Sequence, residues 1–379
     1  METLLKMTFP LFSTHQNLLT RKPLRAIKVS VKSPPPDFDF RAEILAGSRA
    51  TIAKTRPHLL DLADKGTLVL IEKRQFGPVP TWRTDFVEPE AIWLVGTTHI
   101  TPESADDVER VVRAVKPDNV VVELCRSRAG IMYTCTDGDV GQQGGSSMFS
   151  LSGPGFFGAV GRSLNLGGQT ALALRLLLAL FSSKISSDIN RPFGDEFRAA
   201  RKASEEVGSQ LVLGDRPIEI TLERAWDSLQ WKEKLTFLTS IIQGITSSSD
   251  ISSNNFKDQN TADDGGSVEL YDRLSLSYPS LLRPLIHERD TYLAWSLKRS
   301  KAVNNSKTVV GVIGKSHMNG VIYALVSDQG NLRFRDIVGK RASDDRSSGW
   351  LRSLSKSLVR DTFIGICLWV LYEQLKGVL

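Results

Sequence analysis

The chain has 379 residues, of which 41% are hydrophobic and 24% charged, so it is long enough for one large globular domain with appendages. The net charge of +6 is uneven, because residues 1–36 carry six basic residues and a single acidic one, whereas the remainder is almost neutral. A nearly neutral body excludes a nucleic-acid-binding protein, and three cysteines exclude a disulfide scaffold or a cysteine zinc site.

Residues 1–45 have the character of a disordered, transit-peptide-like leader. After Glu2 no acidic residue occurs before Asp37, and the basic, hydroxyl-rich stretch ends in a Ser-Pro-Pro-Pro break. No uninterrupted apolar core with a cleavage site is present, which argues against a secretory signal. The leader predicts a location in a chloroplast or mitochondrion. The alternative is a disordered basic tail with no targeting role.

Residues 46–340 are predicted to form one domain. Its clearest helix starts at Thr101-Pro102-Glu103, which supplies an N-cap threonine, a proline in the first turn and an acid near the positive helix end. That helix joins two apolar runs, Ala91–Val95 and Asn119–Leu124, into a βαβ unit, so we expect these strands to be parallel neighbours. Upstream, the pattern predicts a helix and a strand, at Ser48–Leu62 and Thr67–Glu72.

The rest of the domain alternates in the same way. An apolar stretch at Gln169–Phe181 is too short to span a membrane and predicts a buried helix or a lid. Residues 246–266 are polar and predict a disordered insertion. The remaining predicted elements are the helices Arg191–Val207, Thr221–Trp226, Trp231–Ile242 and Leu281–Ser300, and the strands Gln210–Leu213, Val309–Ile313 and Leu332–Val338.

Residues 341–379 form a basic linker followed by a C-terminal apolar helix. The apolar run Thr362–Tyr372 is shorter than the roughly 20 residues that a spanning helix needs. Two interpretations remain open. The run is either a membrane anchor, lying in the membrane interface or inserted as a C-terminal tail anchor, or a helix that docks on the domain. With the leader, the first interpretation describes a membrane-associated organelle protein.

Two short sequences repeat one pattern. The strands Ala91–Val95 and Val309–Ile313 lead directly into Gly96-Thr97-Thr98-His99 and Gly314-Lys315-Ser316-His317. Each glycine permits a sharp turn at the carboxyl end of a buried strand, the edge at which open α/β sheets build their sites. The chain is therefore predicted to be an α/β protein with a mixed sheet flanked by helices, in which a helical insertion separates two pseudo-repeated strand–GxxH–helix–strand halves.

Glu123 follows a buried strand and needs a partner, because charged residues are rarely buried unpaired. Three explanations stand: a metal ion held together with His99 and His317, a general base that activates water, or an ion pair with an arginine (Arg126, Arg128 or Arg216). Two histidines and one carboxylate with open positions can hold Zn²⁺ or a related ion and its bound water. The cofactor would then be a divalent metal, with Zn, Mn and Co as candidates.

Two arginines are candidate supporting residues. Arg216 lies in Gly214-Asp215-Arg216-Pro217 at a strand end, where it could pair with Glu123 or hold a substrate carboxylate or developing oxyanion. Arg289 lies in the charged run Glu288-Arg289-Asp290, and most such runs are solvated helix faces. It is singled out because its helix leads into the second Gly-x-x-His strand.

Several of these blocks, in their order along the chain, resemble the TraB/PrgY/GumN family, and most closely plant-type TraB domain proteins. The resemblance covers roughly residues 88–340 and rests on Val95-Gly96-Thr97-Thr98-His99, Lys116-Pro117-Asp118, Val122-Glu123-Leu124, Gly194-Asp195-Glu196-Phe197, Leu213-Gly214-Asp215-Arg216-Pro217 with Thr221-Leu222 and Arg224-Ala225-Trp226, Glu288-Arg289-Asp290 and Gly314-Lys315-Ser316-His317. It implies a fold shared with TIKI proteases and a metal-dependent peptidase site. Carried over to this sequence, the metal ligands would be His99, Glu123 and His317, supported by Arg216 and Arg289.

The sequence thus predicts a divalent-metal-dependent hydrolase with a peptide substrate, in which Glu123, Arg216 and Arg289 are the catalytic residues. The alternative is a non-catalytic membrane adaptor or tether that keeps the fold. Retention of every candidate site residue favours the enzyme. The pattern does not specify an oligomeric state.

Overall fold

A five-stranded mixed sheet organises the chain, and the computed structural model describes residues 31–80, 83, 86–98, 101–133, 194–246, 278–338 and 365. The sheet order is β1-β2-β5-β3-β4, with β1 antiparallel to β2 and the other neighbours parallel. The predicted α/β fold with a mixed sheet and flanking helices is confirmed. The strands are β1 Leu68–Glu72, β2 Ala91–Thr97, β3 Asn119–Val122, β4 Gln210–Leu213 and β5 Thr308–Gly314.

The predicted adjacency of β2 and β3 is wrong, although the two strands are parallel. Strand β5 lies between them, pairing Val95 with Val312 on one side and Val122 with Val312 on the other. The connection through the intervening helix therefore spans two strand positions. A central strand is covered on both faces and is apolar throughout, and β5 meets this requirement because its residues from Val309 onward are buried.

Helices cover both faces of the sheet, and most begin and end near their predicted limits. They are α1 Ala46–Thr55, α2 Leu60–Asp64, α3 Pro102–Val115, α4 Asp195–Val207, α5 Ile218–Ser228, α6 Trp231–Thr246, α7 Pro279–Leu282, α8 Glu288–Arg299, α9 Lys315–Val326 and α10 Phe334–Val338. Short π-helical turns at Arg41–Leu45 and Arg283–His287 lead into α1 and α8, and 3₁₀ turns lie at Pro57–Leu59, Lys73–Gln75 and Ala129–Tyr133. The predicted helix Ser48–Leu62 is broken before Pro57, which cannot continue the hydrogen-bond ladder.

One element was predicted as the wrong type. Leu332–Val338, expected as a final strand, contains helix α10, and the Arg333 backbone N–H donates to Asp336 Oδ2 at 2.8 Å. Leu332 and Ile337 are buried against Trp295, away from the sheet. The apolar residues of this short segment pack in a small hydrophobic cluster outside the two main cores. The periodicity of so short a segment does not distinguish such a helix from a buried strand.

The sheet separates two hydrophobic cores because side chains alternate between its faces. Val120, Val122 and Val310 point towards the face covered by α3 and α4. Val121 and Val309 point the other way, into the core shared with α8 and α9. The carboxyl edge of the parallel strands is therefore flanked by the ends of helices from both layers.

The folded part of the chain begins earlier than predicted. Residues 31–45 were assigned to a disordered leader, yet Phe38 and Phe40 are buried in the α8–α9 core. Asn319 of α9 fixes this segment by donating to the Phe38 carbonyl and accepting from the Phe40 N–H, both at 3.0 Å. Burial of the two aromatic rings offsets the entropic cost of ordering residues 31–45. The basic composition of this part of the sequence did not indicate that burial.

Several predictions concern residues outside the described part of the chain. They are the targeting role of residues 1–30, the apolar stretch Gln169–Phe181, the insertion beyond Thr246 and the C-terminal apolar run. His99 also belongs to this group, one residue beyond Thr98 at the end of β2. Among the described residues, no helix combines the length and apolar character needed to cross a bilayer.

Candidate functional site

The carboxyl ends of β2, β3 and β5 meet at one edge of the sheet, because the three strands are parallel. Thr97 is paired with Gly314, and the Glu123 backbone N–H continues the ladder by donating to the Val312 carbonyl at 3.0 Å. The first turn of α9 starts immediately after Gly314. This edge therefore collects Glu123, His317 and the residues that follow β4, which is the usual position of ligand sites in open α/β sheets.

Glu123 is 3% exposed, and both of its carboxylate oxygens have partners. Oε2 accepts a hydrogen bond from the Gly314 backbone N–H at 2.8 Å. Oε1 accepts from Arg289 Nη2 at 2.6 Å and lies 3.4 Å from His317 Nε2. The carboxylate is thus held against the second Gly-x-x-His turn, with one oxygen directed at the imidazole.

Arg289 connects the two halves of the site. Its Nη2 bridges Glu123 Oε1 and Asp215 Oδ2, at 2.6 and 2.9 Å, and its Nη1 lies 3.2 Å from His317 Nε2. Arg128 donates to the same Asp215 oxygen. Burial acts to lower the Arg289 pKa, but the carboxylates of Asp215 and Glu123 raise it above its usual range, so the guanidinium is permanently charged.

His317 lies between two carboxylates. Its Nδ1 is 2.5 Å from Asp290 Oδ1, and its Nε2 faces Glu123 and Arg289. Burial lowers the imidazole pKa, and Arg289 acts in the same direction, yet Glu123 and Asp290 outweigh them, so that the net shift is upward. The ring is therefore protonated more readily than a free histidine, and a metal ion would bind Nε2 only in the neutral form of the ring.

Arg216 does not contact the Glu123 side chain through any of its hydrogen bonds. It is fully buried, and its Nη1 donates to Glu288 Oε2 at 2.7 Å, while Arg224 holds the same carboxylate through two bonds of 2.6 and 2.7 Å. Further bonds from Arg216 reach Thr221 Oγ1, the Pro284 carbonyl and the Ile337 carbonyl. Of the arginines considered for the ion pair with Glu123, Arg128 reaches only its carbonyl, at 3.3 Å, and the carboxylate pairs with Arg289.

The charged run Glu288-Arg289-Asp290 is not a solvated helix face. Each residue of an α-helix is turned about 100° from the last, so the three side chains reach three different partners. Glu288 pairs with Arg216, Arg289 with Glu123 and Asp290 with His317. A signal was present in the sequence: the following run Tyr292–Trp295 is apolar at successive positions, which is typical of a helix buried all round.

Asp215, Asp290 and Glu288 are functional candidates that the sequence reasoning did not select. Asp215 was part of the Gly-Asp-Arg-Pro turn, but attention went to its arginine. In the structure the Asp215 carboxylate organises three neighbours: it accepts from Arg128, from Arg289 and, at 2.7 Å, from the Arg216 backbone N–H. It therefore joins the Glu123–His317 cluster to the Glu288 cluster.

The side chains present suit a divalent metal in part. The separation of 3.4 Å between His317 Nε2 and Glu123 Oε1 is close to the edge of a tetrahedral sphere with bonds of about 2.1 Å, roughly 3.4 Å. Asp290 on Nδ1 is the outer carboxylate commonly found behind metal-bound histidines. Within the described residues no three potential ligands come together, and His99 lies outside them.

Comparisons with known proteins agree with the blocks seen in the sequence. The model of the TraB/PrgY/gumN family matches residues 80–330. A TraB domain-containing protein of Bos taurus is 27% identical over 318 residues, 76% of this chain and 79% of its own length. Its Mus musculus counterpart is 25% identical, covering 76% and 80%, and an uncharacterised protein of Methanocaldococcus jannaschii is 24% identical, covering 63% and 55%. The plant-type assignment stays a prediction. The chain belongs to the TraB/PrgY/gumN family.

Proposed function

We propose that the site at the carboxyl edge of the sheet binds a divalent metal ion and hydrolyses a peptide bond. The observation that carries this proposal is the approach of Glu123 Oε1 to His317 Nε2, 3.4 Å apart and both shielded from bulk water. With His99 as the third ligand, the set would be two histidines and one carboxylate. The peptide class of substrate comes from the family resemblance rather than from a contact in the site.

When bound, the metal would act as a Lewis acid and lower the pKa of a water molecule. The chain's own residues have separate tasks. Glu123 supplies a ligand or accepts a proton, and the Gly314 N–H holds its second oxygen in place. Arg289, which keeps about 15% of its side chain exposed, can reach a developing oxyanion, whereas Arg216 is fully enclosed. We therefore assign the oxyanion contact to Arg289, and we assign Arg216 the task of positioning α8 through Glu288.

We also infer that the two Gly-x-x-His units are related repeats. Strands β2 and β5 both have seven residues and are paired in register from Ala91 with Thr308 to Thr97 with Gly314. Each strand has a glycine at or next to its last residue, Gly96 in β2 and Gly314 in β5, and the next helix along the chain is α3 or α9. Gly96 is paired with Ile313 and Gly314 with Thr97, so the two motifs begin one residue apart at the same edge of the sheet. That proximity supports convergence of the two motifs on one ion.

The first prediction concerns metal content. We expect the purified full-length chain to bind one divalent ion, measured by calorimetric titration with Zn²⁺, Mn²⁺ and Co²⁺. His317→Ala should weaken binding by more than the roughly 10- to 100-fold that loss of an outer-shell partner costs, because a direct ligand is removed. Glu123→Gln should act in the same direction, since an amide oxygen is a poorer ligand than a carboxylate.

A matched control is His58→Ala, because His58 is exposed in the 3₁₀ turn before α2. This variant should bind metal like the unmodified chain, and thermal unfolding of all variants shows whether the fold is intact. Absence of stoichiometric metal from the intact protein, or unchanged binding in His317→Ala, would remove the hydrolase proposal. The non-catalytic adaptor would then be the better description.

The second prediction is that Arg289 competes with the metal. Its guanidinium contacts both proposed ligand atoms, Glu123 Oε1 at 2.6 Å and His317 Nε2 at 3.2 Å, so a cation already lies beside the binding position. Arg289→Met removes that charge and leaves the carboxylates of Glu123 and Asp215 less balanced. We expect metal affinity to rise at least about tenfold, because charges this close interact by several kcal/mol, while turnover falls.

Arg289→Lys distinguishes the effect of the positive charge from that of the planar guanidinium group. It keeps a cation next to the two carboxylates but loses the planar fork that bonds both at once. Its metal affinity should stay near that of the unmodified chain. If Arg289→Met instead loses affinity in parallel with His317→Ala, the guanidinium supports the ligand sphere and the competition is disproved.

A further inference from the structure

We propose that Asp290 is a positioning residue that fixes the tautomer of His317, placing the ring proton on Nδ1 and leaving the Nε2 lone pair free for the site. This inference rests on the proposed role of His317 as a ligand. It assigns the third charge of the Glu288-Arg289-Asp290 run a task distinct from that of Arg289.

The hydrogen bonds at the two ring nitrogens require opposite roles. Nε2 lies 3.2 Å from Arg289 Nη1, and a guanidinium nitrogen can only donate. In the neutral ring Nε2 is then the acceptor, so the proton belongs on Nδ1. Nδ1 in turn lies 2.5 Å from Asp290 Oδ1, a carboxylate oxygen that accepts this proton's hydrogen bond.

Burial makes the pair a fixed part of the fold. Asp290 is 2% exposed and His317 7% exposed, on helices α8 and α9, which pack side by side. Water therefore does not compete effectively for either ring nitrogen, and rotation of the imidazole would leave a buried polar group unpaired. The cost of an unpaired buried group keeps the ring in one orientation.

Gly320 provides the space in which the Asp290 carboxylate lies. It is three residues after His317 on α9, and a Cβ atom built at this glycine would be 1.8 Å from Asp290 Oδ2. No side chain larger than hydrogen fits there without moving the carboxylate. Gly320 lies outside the motif Gly314-Lys315-Ser316-His317, but its lack of a side chain is what allows Asp290 to reach His317.

This arrangement gives the imidazole its direction. With Nδ1 held by Asp290, Nε2 points towards Glu123 Oε1 and not into the helix layer. A carboxylate behind a ligating histidine also increases the basicity of the ring and fixes its orientation. Asp290 therefore acts through His317, without touching the reacting atoms.

The test reads the tautomer directly in metal-free protein. The full-length chain is labelled with ¹⁵N-histidine, and two-bond ¹H–¹⁵N spectra are recorded at a pH high enough for the imidazole to be neutral. The His317 signals are identified as those missing from His317→Gln. We expect Nδ1 to be the protonated nitrogen. A neutral ring with its proton on Nε2 would overturn the proposal.

Two variants disturb the carboxylate in different ways. Gly320→Ala keeps every charge and improves helix propensity, so any loss arises from displacement of Asp290. Asp290→Asn keeps the volume and offers an amide that can donate to Nδ1, which favours the other tautomer. Both should shift the population towards protonated Nε2 and weaken Zn²⁺ binding by about 10- to 100-fold. Asp106→Asn, on the exposed side of α3, is the control and should change neither.

The outcomes separate this inference from the function on which it rests. Protonated Nδ1 in the intact chain, lost in Gly320→Ala, supports the positioning role even if no metal binds, and in that case only the metal proposal fails. Unchanged tautomer and unchanged Zn²⁺ binding in both variants would overturn the positioning role while leaving the metal proposal in place.

Discussion

Glu288→Ala is expected to lower the free energy of unfolding by about 3–5 kcal/mol, the scale for breaking a buried ion pair by removing one partner. Glu288 is fully buried and accepts hydrogen bonds from Arg216 at 2.7 Å and from Arg224 at 2.6 and 2.7 Å. Its removal takes away the carboxylate that the two buried guanidinium groups share. Urea unfolding at pH 7, followed by circular dichroism, measures the loss.

The pH dependence of this contribution has a definite sign. Burial raises the Glu288 pKa, but Arg224 and Arg216 outweigh burial and hold it below its ordinary value. The carboxylate therefore stabilises the fold at pH values above its unfolded pKa, and the contribution is lost as the pH falls through the folded pKa. As the pH falls, the difference in free energy of unfolding between the unmodified chain and Glu288→Ala should therefore become smaller.

Glu206→Ala is the matched control, because Glu206 forms an exposed ion pair with Arg113. Exposed pairs of this kind contribute little to stability, so we expect unfolding close to that of the unmodified chain. A comparable loss in both variants would mean that the Glu288 cluster is not the cause of the effect. The free energy of unfolding of Glu288→Gln should lie between those of Glu288→Ala and Glu206→Ala, because the glutamine amide oxygen still accepts hydrogen bonds but carries no charge.

Lys298→Met is expected to stabilise the protein at neutral pH and to remove a steep pH dependence. Lys298 is 3% exposed, and burial, assisted by the charge of Arg299, lowers its pKa from 10.5 to about 7. Between these two values the unfolded chain binds a proton that the folded chain does not, so the stability of the unmodified chain should rise with pH across this window. The whole window corresponds to on the order of 5 kcal/mol.

Methionine is tolerated at this position because the groups around the ammonium have other partners. Lys298 Nζ donates to the carbonyls of Gly77 and Leu325, at 3.1 and 2.9 Å. The Gly77 carbonyl also accepts from Arg299, and the Leu325 carbonyl accepts from the Gly77 N–H. Glu88 likewise keeps its bond of 2.6 Å to Arg299, so the substitution orphans none of these acceptors.

Chemical unfolding of both proteins from pH 6 to pH 10.5 tests the lysine prediction. The advantage of Lys298→Met should be largest near pH 6 and should be nearly gone at pH 10.5, where the folded lysine is neutral and half of the unfolded lysine is neutral. Lys54→Met, at an exposed position of α1, should run parallel to the unmodified chain. A constant difference between Lys298→Met and the unmodified chain across the range would contradict the prediction.

The sequence by itself determined the local elements and the edge at which chemistry is expected. Apolar runs identified β2, β3 and β5, and the Thr101-Pro102 start identified α3, because these signals depend on neighbouring residues and on one period at a time. The charge of Glu123 after a buried strand was enough to require a partner. The resemblance carried by the ordered blocks matched the family that the comparison supports.

Only the tertiary structure decided which residues meet at that edge. Glu123 pairs with Arg289, 166 residues away, rather than with Arg128 or Arg216, which are closer in sequence, because β5 enters between β2 and β3 and brings α8 with it. Strand order and helix rotation are set by burial summed over the whole sheet, and no local window contains that sum. The same global packing turned Asp290 inward onto His317 and converted the expected last strand into α10.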